Sequence, residues 1–214
     1  MEKETQQEIE IEWKLQVTEA AAWPAIVEFV RNLPGQVRCD HIKMVARYFD
    51  TVDLQLNQKR IAYRLRREND VLMATIKAGG SSAGGVHKRL EINRKVASEI
   101  ADLSVFKGVA EIAAVVDYLE AVDLQVIVET DFHREAVLVE QDGSTIEIAL
   151  DQGSIRAGEQ TAPILEVELE LKSGSEVQLQ LLGEALQRKF PLRPEPQSKF
   201  FRGLLLSGLL KHSR

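Results

Sequence analysis

The sequence predicts an α+β domain in which an antiparallel sheet curls around a charged face and carries helices on its apolar outside. Three observations lead there. Glu8-Ile9-Glu10-Ile11-Glu12-Trp13-Lys14-Leu15 alternates strictly between charged and apolar residues, the period of a strand. Ile164 to Lys172 nearly mirrors it, with Glu166, Glu168 and Glu170 on one parity and apolar residues on the other. Between the two, strand after strand carries Arg, Lys or Glu at its central same-parity positions. A single alternating strand is also what a surface sheet with one wet face produces. Repetition with charges of both signs favours an enclosed face, because closing a sheet removes its edges.

The elements follow in order. Thr18 to Leu33 reads as a helix with a break or late start near Pro24. His41 to Asp50 is a strand closed by Tyr48-Phe49-Asp50-Thr51. Ile61 to Arg67 and Leu72 to Lys77 form a hairpin about Asn69-Asp70. The stretch from Ala78 to Gly85, rich in Gly and Ser, reads as a mobile loop without P-loop spacing. Lys88 to Val96 alternates again, with Arg89, Glu91 and Asn93 on one face. Ser98 to Leu119 is read as mostly helical, broken near Lys107-Gly108. Leu124 to Val139 holds a strand pair or one long strand containing Arg134. Asp142-Gly143 is a hairpin signal, leading into Thr145 to Leu150. Gly153 to Pro163 reads as a loop or short return strand. Ser175 to Phe190 is an amphipathic helix. A proline-rich connector follows, then a final helix from Ser198 to Leu210 with Lys199 and Arg202 near its start.

Bulk properties narrow the function. The chain has 214 residues, 44% of them hydrophobic and 28% charged, and a net charge of −6, which argues against general nucleic-acid binding. No apolar run reaches membrane-spanning length, and Met1 to Gln7 lacks a signal-peptide core. A lone cysteine, Cys39, excludes an internal disulfide framework and fits a reducing, cytoplasmic setting. No motif surrounds it, so it reads as inert. His87 and His133 read as surface residues, Tyr48 and Phe49 as packing residues, and Asp50 as a turn cap.

A cavity lined by arginine and lysine suits a phosphate-rich ligand, since guanidinium matches phosphate oxygens with a planar fork. Carboxylates in the same cavity are reconciled with phosphate by a hard divalent cation between them. Glu10, Glu12, Glu166 and Glu168 are the natural ligand set, and the arginines would stabilise charge on a transferred phosphoryl group.

These residues resemble the CYTH family, the triphosphate tunnel metalloenzymes. The family signature Glu-x-Glu-x-Lys stands here as Glu10-x-Glu12-x-Lys14. The resemblance continues through Tyr48-Phe49-Asp50-Thr51, Arg64-x-Arg66, Thr75-x-Lys77, Arg89-x-Glu91, Arg134, Leu150-Asp151, Glu166-x-Glu168 and Ser198-Lys199. It implies an eight-stranded antiparallel β-barrel open as a tunnel, Mg²⁺ or Mn²⁺ dependence and a linear triphosphate substrate. By the same resemblance Glu10, Glu12, Asp151, Glu166 and Glu168 surround the metal. Lys14, Arg64, Arg66, Lys77, Arg89, Arg134 and Lys199 hold phosphates, and Lys14 positions water or assists proton transfer alongside Glu10 and Glu12. Whether Glu91, Glu147 and Glu170 face the tunnel depends on strand register.

Within the family the expectation is hydrolysis of tripolyphosphate to pyrophosphate and phosphate. A class IV adenylyl cyclase making cyclic AMP from ATP is the alternative, followed by a thiamine triphosphatase and a non-catalytic polyphosphate- or nucleotide-binding module. Class IV cyclases carry a His-Phe pair before the signature, where this chain has Glu4-Thr5. Thiamine recognition wants an aromatic platform in the cavity, and neither Trp13 nor Trp23 has the right placement. The expected organisation is one domain over residues 1–214 without the helical CHAD domain of many relatives. The expected partner is a small triphosphate, with no nucleic acid or membrane, acting as a monomer or homodimer.

Overall fold

The computed structural model describes residues 5–83, 86–119 and 123–210. Strands β1 (Thr5–Val17), β2 (Gln36–Asp50), β3 (Ile61–Glu68), β4 (Val71–Ala83), β5 (Val86–Lys95), β6 (Gln125–Gln141), β7 (Ser144–Ala157) and β8 (Gln160–Ser173) pair in the order β5-β4-β3-β2-β6-β7-β8-β1. Pairing of β1 with β5 closes the ring into an eight-stranded antiparallel barrel, as expected. A short β9 (Leu192–Pro194) adds to the end of β1.

The period-two pattern dictates which side chains point inward. Ile11, Trp13, Leu15 and Val17 face out and join Val137, Ile148, Val167 and Leu169 beneath helices α1 (Trp23–Arg31) and α4 (Glu176–Lys189). Trp13 lies flat on Gly183 of α4, where any Cβ would stand 2.5 Å from the indole, so only glycine fits. Tyr63, Leu65, Ile76 and Ile92 face out beneath a 3₁₀ turn (Leu103–Phe106) and α3 (Ala113–Leu119). The third apolar cluster differs. It contains Ala46, Tyr48, Val128, Phe132 and Ile155 with Phe200 and Leu204 of α5 (Lys199–Leu206), and its barrel residues have inward parity. The last helix therefore packs its apolar face onto one end of the barrel interior.

Local chemistry explains the element ends. Pro24 sits in the first turn of α1, giving the late start predicted for that helix. Asp50 accepts hydrogen bonds from the backbone N–H groups of Thr51, Leu56 and Asn57, fastening the short α2 (Gln55–Gln58) as a cap. Ser175 and Ser198 cap α4 and α5. Asp142 and Gly143 take φ of 50° and 72°, the left-handed pair that a two-residue hairpin needs.

Several boundaries depart from the sequence reading. The Gly/Ser stretch expected as a loop continues β4 to Ala83 through a register shift between Ala78 and Ser81, with Gly84 and Gly85 outside the described residues. Gly153 to Pro163 is the β7–β8 hairpin, paired on both sides of a tight turn. Ser98 to Leu119 holds only the 3₁₀ turn and α3. Leu124 to Val139 is a single strand, β6.

Candidate active site

The inward parities meet in a cavity lined by Glu10, Glu12, Lys14, Tyr48, Arg64, Arg66, Lys77, Arg89, Phe132, Arg134, Glu147, Glu168, Glu170, Lys199 and Phe200. Asp151 and Glu166 complete it from beneath, fully buried beside Lys199. Every residue expected from the sequence thus arrives at one site.

One side of the cavity is a closed ion network. Asp151 faces Glu166 in register across β7 and β8, so two carboxylates stand side by side. Lys199, at the first turn of α5, lies 2.8 Å from Asp151, 3.1 Å from Glu166 and 2.8 Å from Glu168. Arg134 donates two parallel hydrogen bonds to Asp151, both at 2.7 Å, and a third to Glu168 at 2.5 Å. Lys14 bridges Glu12 at 3.2 Å and Glu168 at 3.5 Å. Arg202 reaches Glu166 at 3.3 Å.

The opposite side is looser. Lys77 donates to both oxygens of Glu10, at 2.7 and 2.6 Å, and lies 2.6 Å from Glu91. Glu91 is held further by Asn93, which in turn accepts from Thr75. Arg64 donates to the Tyr48 hydroxyl at 3.3 Å, and Arg66 pairs with Glu68. Among the described residues, Nε and Nη2 of Arg64 and Nε of Arg66 are buried without a hydrogen-bond partner, the nearby Glu91 oxygen at 3.5 Å from Nη2 being an ion pair only.

Electrostatics follows the geometry. Burial opposes ionisation of Glu10, and with Glu12 and Glu91 nearby its carboxyl is pushed up to about 7 despite Lys77. Burial also opposes ionisation of Glu12 and Glu168, but the flanking ammonium and guanidinium groups override it and hold both below the usual carboxylate range. Glu91 is likewise lowered by Lys77, Arg64 and Arg66 against its burial. Burial raises Glu166 and Glu170. Lys14 and Lys199, although buried, are raised by their carboxylates and stay charged.

The register resolves the open carboxylates: all three have inward parity, Glu147 and Glu170 lining the cavity beside Lys172 and Glu91 paired with Lys77. One reading is corrected, that of His87, and one is extended, since Tyr48 packs in the third apolar cluster as expected and also reaches the cavity. His87 is buried rather than on the surface, because it shares the inward parity of Arg89 and Glu91. Tyr48 lines the cavity and stacks on Phe200, ring centroids 5.1 Å apart, and Phe132 joins them. The cavity therefore has aromatic surface, which neither tryptophan supplies. The parity of Tyr48 with Ala46 and Met44 was the available signal. Phe132 and Phe200 had none beyond their neighbours Arg134 and Lys199.

Known proteins resemble this chain in sequence or in fold. An inorganic triphosphatase of Haemophilus influenzae is 36% identical over 162 residues, which are 75% of this chain and 45% of that protein; the chain spans about half the length of that relative. A candidate adenylyl cyclase from Hippeastrum, reported to show a dominant triphosphatase activity, superposes with a TM-score of 0.64 at 20% identity, covering 93% of this chain and 96% of that one. A candidate adenylate cyclase from Bacillus halodurans gives 0.56 at 17% identity over 90% and 95% of the two chains. These two likenesses concern the fold. The CYTH domain profile matches residues 8–204, and the chain belongs to the CYTH domain family.

Proposed function

We propose that the barrel hydrolyses a linear inorganic triphosphate to pyrophosphate and phosphate with the help of a divalent cation. The observation that carries this reading is the set of buried, unengaged N–H donors on Arg64 and Arg66. A buried guanidinium donor without an acceptor is costly, and phosphate oxygens are the acceptors its fork fits. Lys77, Arg89 and Arg134 extend the cationic lining along the cavity, as a chain of phosphates requires. The activity in the name of the Haemophilus influenzae relative supports the same substrate class.

The residues suit a hard cation. All the acidic donors are carboxylate oxygens, and Glu166 Oε2 is buried without a hydrogen-bond partner among the described residues. Glu10, Glu12, Asp151, Glu166 and Glu168 would hold Mg²⁺ or Mn²⁺. When bound, such an ion neutralises phosphate charge and polarises a phosphoryl oxygen. The protein's own groups do the rest. Arg64, Arg66 and Arg134 grip the phosphates, aligning the scissile bond and countering charge on the transferred group. Lys14, kept protonated by Glu12 and Glu168, orients a water or phosphate oxygen by donation and does not abstract a proton. The barrel wall and α5 limit bulk water around the reacting atoms.

Product analysis with purified protein, Mg²⁺ or Mn²⁺, and tripolyphosphate or ATP tests this. Phosphate released from tripolyphosphate should far exceed that from ATP. Substituting Glu10 or Glu12 with Gln should abolish metal-dependent turnover, and near-normal turnover in both variants would sink the metal assignment. The stacked Tyr48 and Phe200 favour one second reading, an organic triphosphate whose base or ring rests on them. Cyclic AMP from ATP, or preferential hydrolysis of thiamine triphosphate, would install it instead.

A further inference from the structure

A second cluster of ligating side chains lies outside the barrel, away from the cavity. Cys39 and His41 alternate on β2, so both point to the outer face, and Glu135 on β6 is the register partner of His41. Their donor atoms lie within 4.8 Å of one another. Cys39 Sγ is 3.5 Å from Glu135 Oε1, and His41 Nδ1 is 3.9 Å from Glu135 Oε2. A tetrahedral site with metal–ligand bonds of about 2.0–2.3 Å sets its donors roughly 3–4 Å apart, and these pairs already have that spacing. Arg31 of α1 fixes the carboxylate with two hydrogen bonds, at 2.6 and 2.7 Å. Ligating carboxylates are commonly held by such an outer partner. His41 is 69% exposed while Glu135 is 11% exposed, so the cluster opens to solvent on one side and is anchored on the other.

We infer that Cys39, His41 and Glu135 form a surface site for a borderline-soft divalent cation of the Zn²⁺ class, with a fourth position open to solvent. One sulfur, one imidazole nitrogen and one carboxylate oxygen select such an ion over Mg²⁺, which prefers oxygen alone. The cavity inside the barrel, with its carboxylates only, has the reverse preference. Binding breaks the Cys39 Sγ–H bond, forms an Sγ–metal bond and releases the proton to solvent, with no change of oxidation state. The imidazole gives its Nδ1 lone pair.

The test uses the full chain, stripped with a chelator and titrated with Co²⁺ alone, because only a thiolate ligand produces a sulfur-to-cobalt charge-transfer band. One equivalent of Co²⁺ should develop that band. Cys39→Ser should abolish it. His41→Ala, at an exposed position where folding is not at stake, should weaken the affinity by more than the roughly tenfold that loss of an outer-shell partner costs. Glu12→Gln inside the barrel should leave band and affinity unchanged, which separates this site from the catalytic one whatever the barrel's activity is. Zn²⁺ should displace Co²⁺ and protect Cys39 from a thiol reagent. Absence of the band in the parent protein, or an affinity indifferent to His41→Ala, overturns the site.

Discussion

The two sides of the cavity carry similar charges and treat them differently. On the β7–β8 side the buried cations each bridge more than one carboxylate: Arg134 binds Asp151 and Glu168, and Lys199 binds Asp151, Glu166 and Glu168. On the β3 side Arg64 and Arg66 keep unengaged donors. Strand register makes the difference. Asp151 faces Glu166 across the ladder, and such like-charged neighbours demand a cation between them. Arg64 faces Thr75 and Arg66 faces Met73, neither of which can accept a guanidinium's charge. One wall matches its cations with carboxylates, leaving Glu166 Oε2 as a buried oxygen without a partner among the described residues, and the other waits for an anion.

That contrast can be broken or sharpened by substitution. The largest effect is expected at Asp151, fully buried and bridged by two cations. Asp151→Ala should cost about 3–5 kcal/mol of stability, because it leaves Arg134 and Lys199 short of their counter-charge. A urea unfolding midpoint close to that of the parent would remove the distinction between the walls. Arg64→Ala should do the opposite, losing function more than fold. Two charge-assisted hydrogen bonds at about 1.5–3 kcal/mol each predict a drop in kcat/KM for tripolyphosphate of at least roughly a hundredfold. Its stability loss should be less than half that of Asp151→Ala, and an unchanged kcat/KM would remove Arg64 from the site.

A smaller effect separates the walls by pH in the metal-free protein. The Glu10 carboxyl is raised from 4.5 to about 7 on folding, so between those values the folded state holds a proton that the unfolded chain has lost. Stability from this group therefore falls as pH rises through that window. Glu91 and Glu168 are lowered, so their contribution is present above the ordinary carboxylate range and lost on acidification. Melting temperature should decline between about pH 5 and pH 7, and Glu10→Gln should flatten that decline. A parent protein whose melting temperature climbs across the window would contradict the assignment. Smallest of all, Lys43→Ala, which breaks an exposed pair with Asp131, should alter stability by less than about 0.5 kcal/mol in the same urea assay.

Much of this was legible in the sequence, for a physical reason. A barrel wall has period two and only two faces, so one alternating strand assigns inside and outside for Glu10, Glu12, Lys14 and Trp13 at once. The ordered charges on later strands carried the same information, and the CYTH resemblance supplied strand number and closure. Elements whose signal was compositional fared worse. Glycine and serine from Gly79 to Ser82 suggested a loop, yet ladder pairing with β5 resumes at Ser81 past the register shift. His87 was read from its residue type rather than from its parity with Arg89. The roles of Phe132 and Phe200 depend on α5 folding back over the barrel, a long-range contact that no local pattern encodes.

The position of Lys199 also bears on how the molecule comes to be made. Asp151, Glu166 and Glu168 are synthesised before the lysine that neutralises them, and so is the apolar interior that Phe200 and Leu204 cover. A nascent chain that has delivered β8 but not α5 can pair its strands, but it must close them over three acids lacking the ammonium that joins them and a greasy surface still wet. The closing helix thus acts as a late latch. Until it is in place, Asp151 and Glu168 have Arg134 and Lys14 for counter-charge, whereas Glu166 lacks both of its cations, Lys199 and Arg202, which α5 supplies.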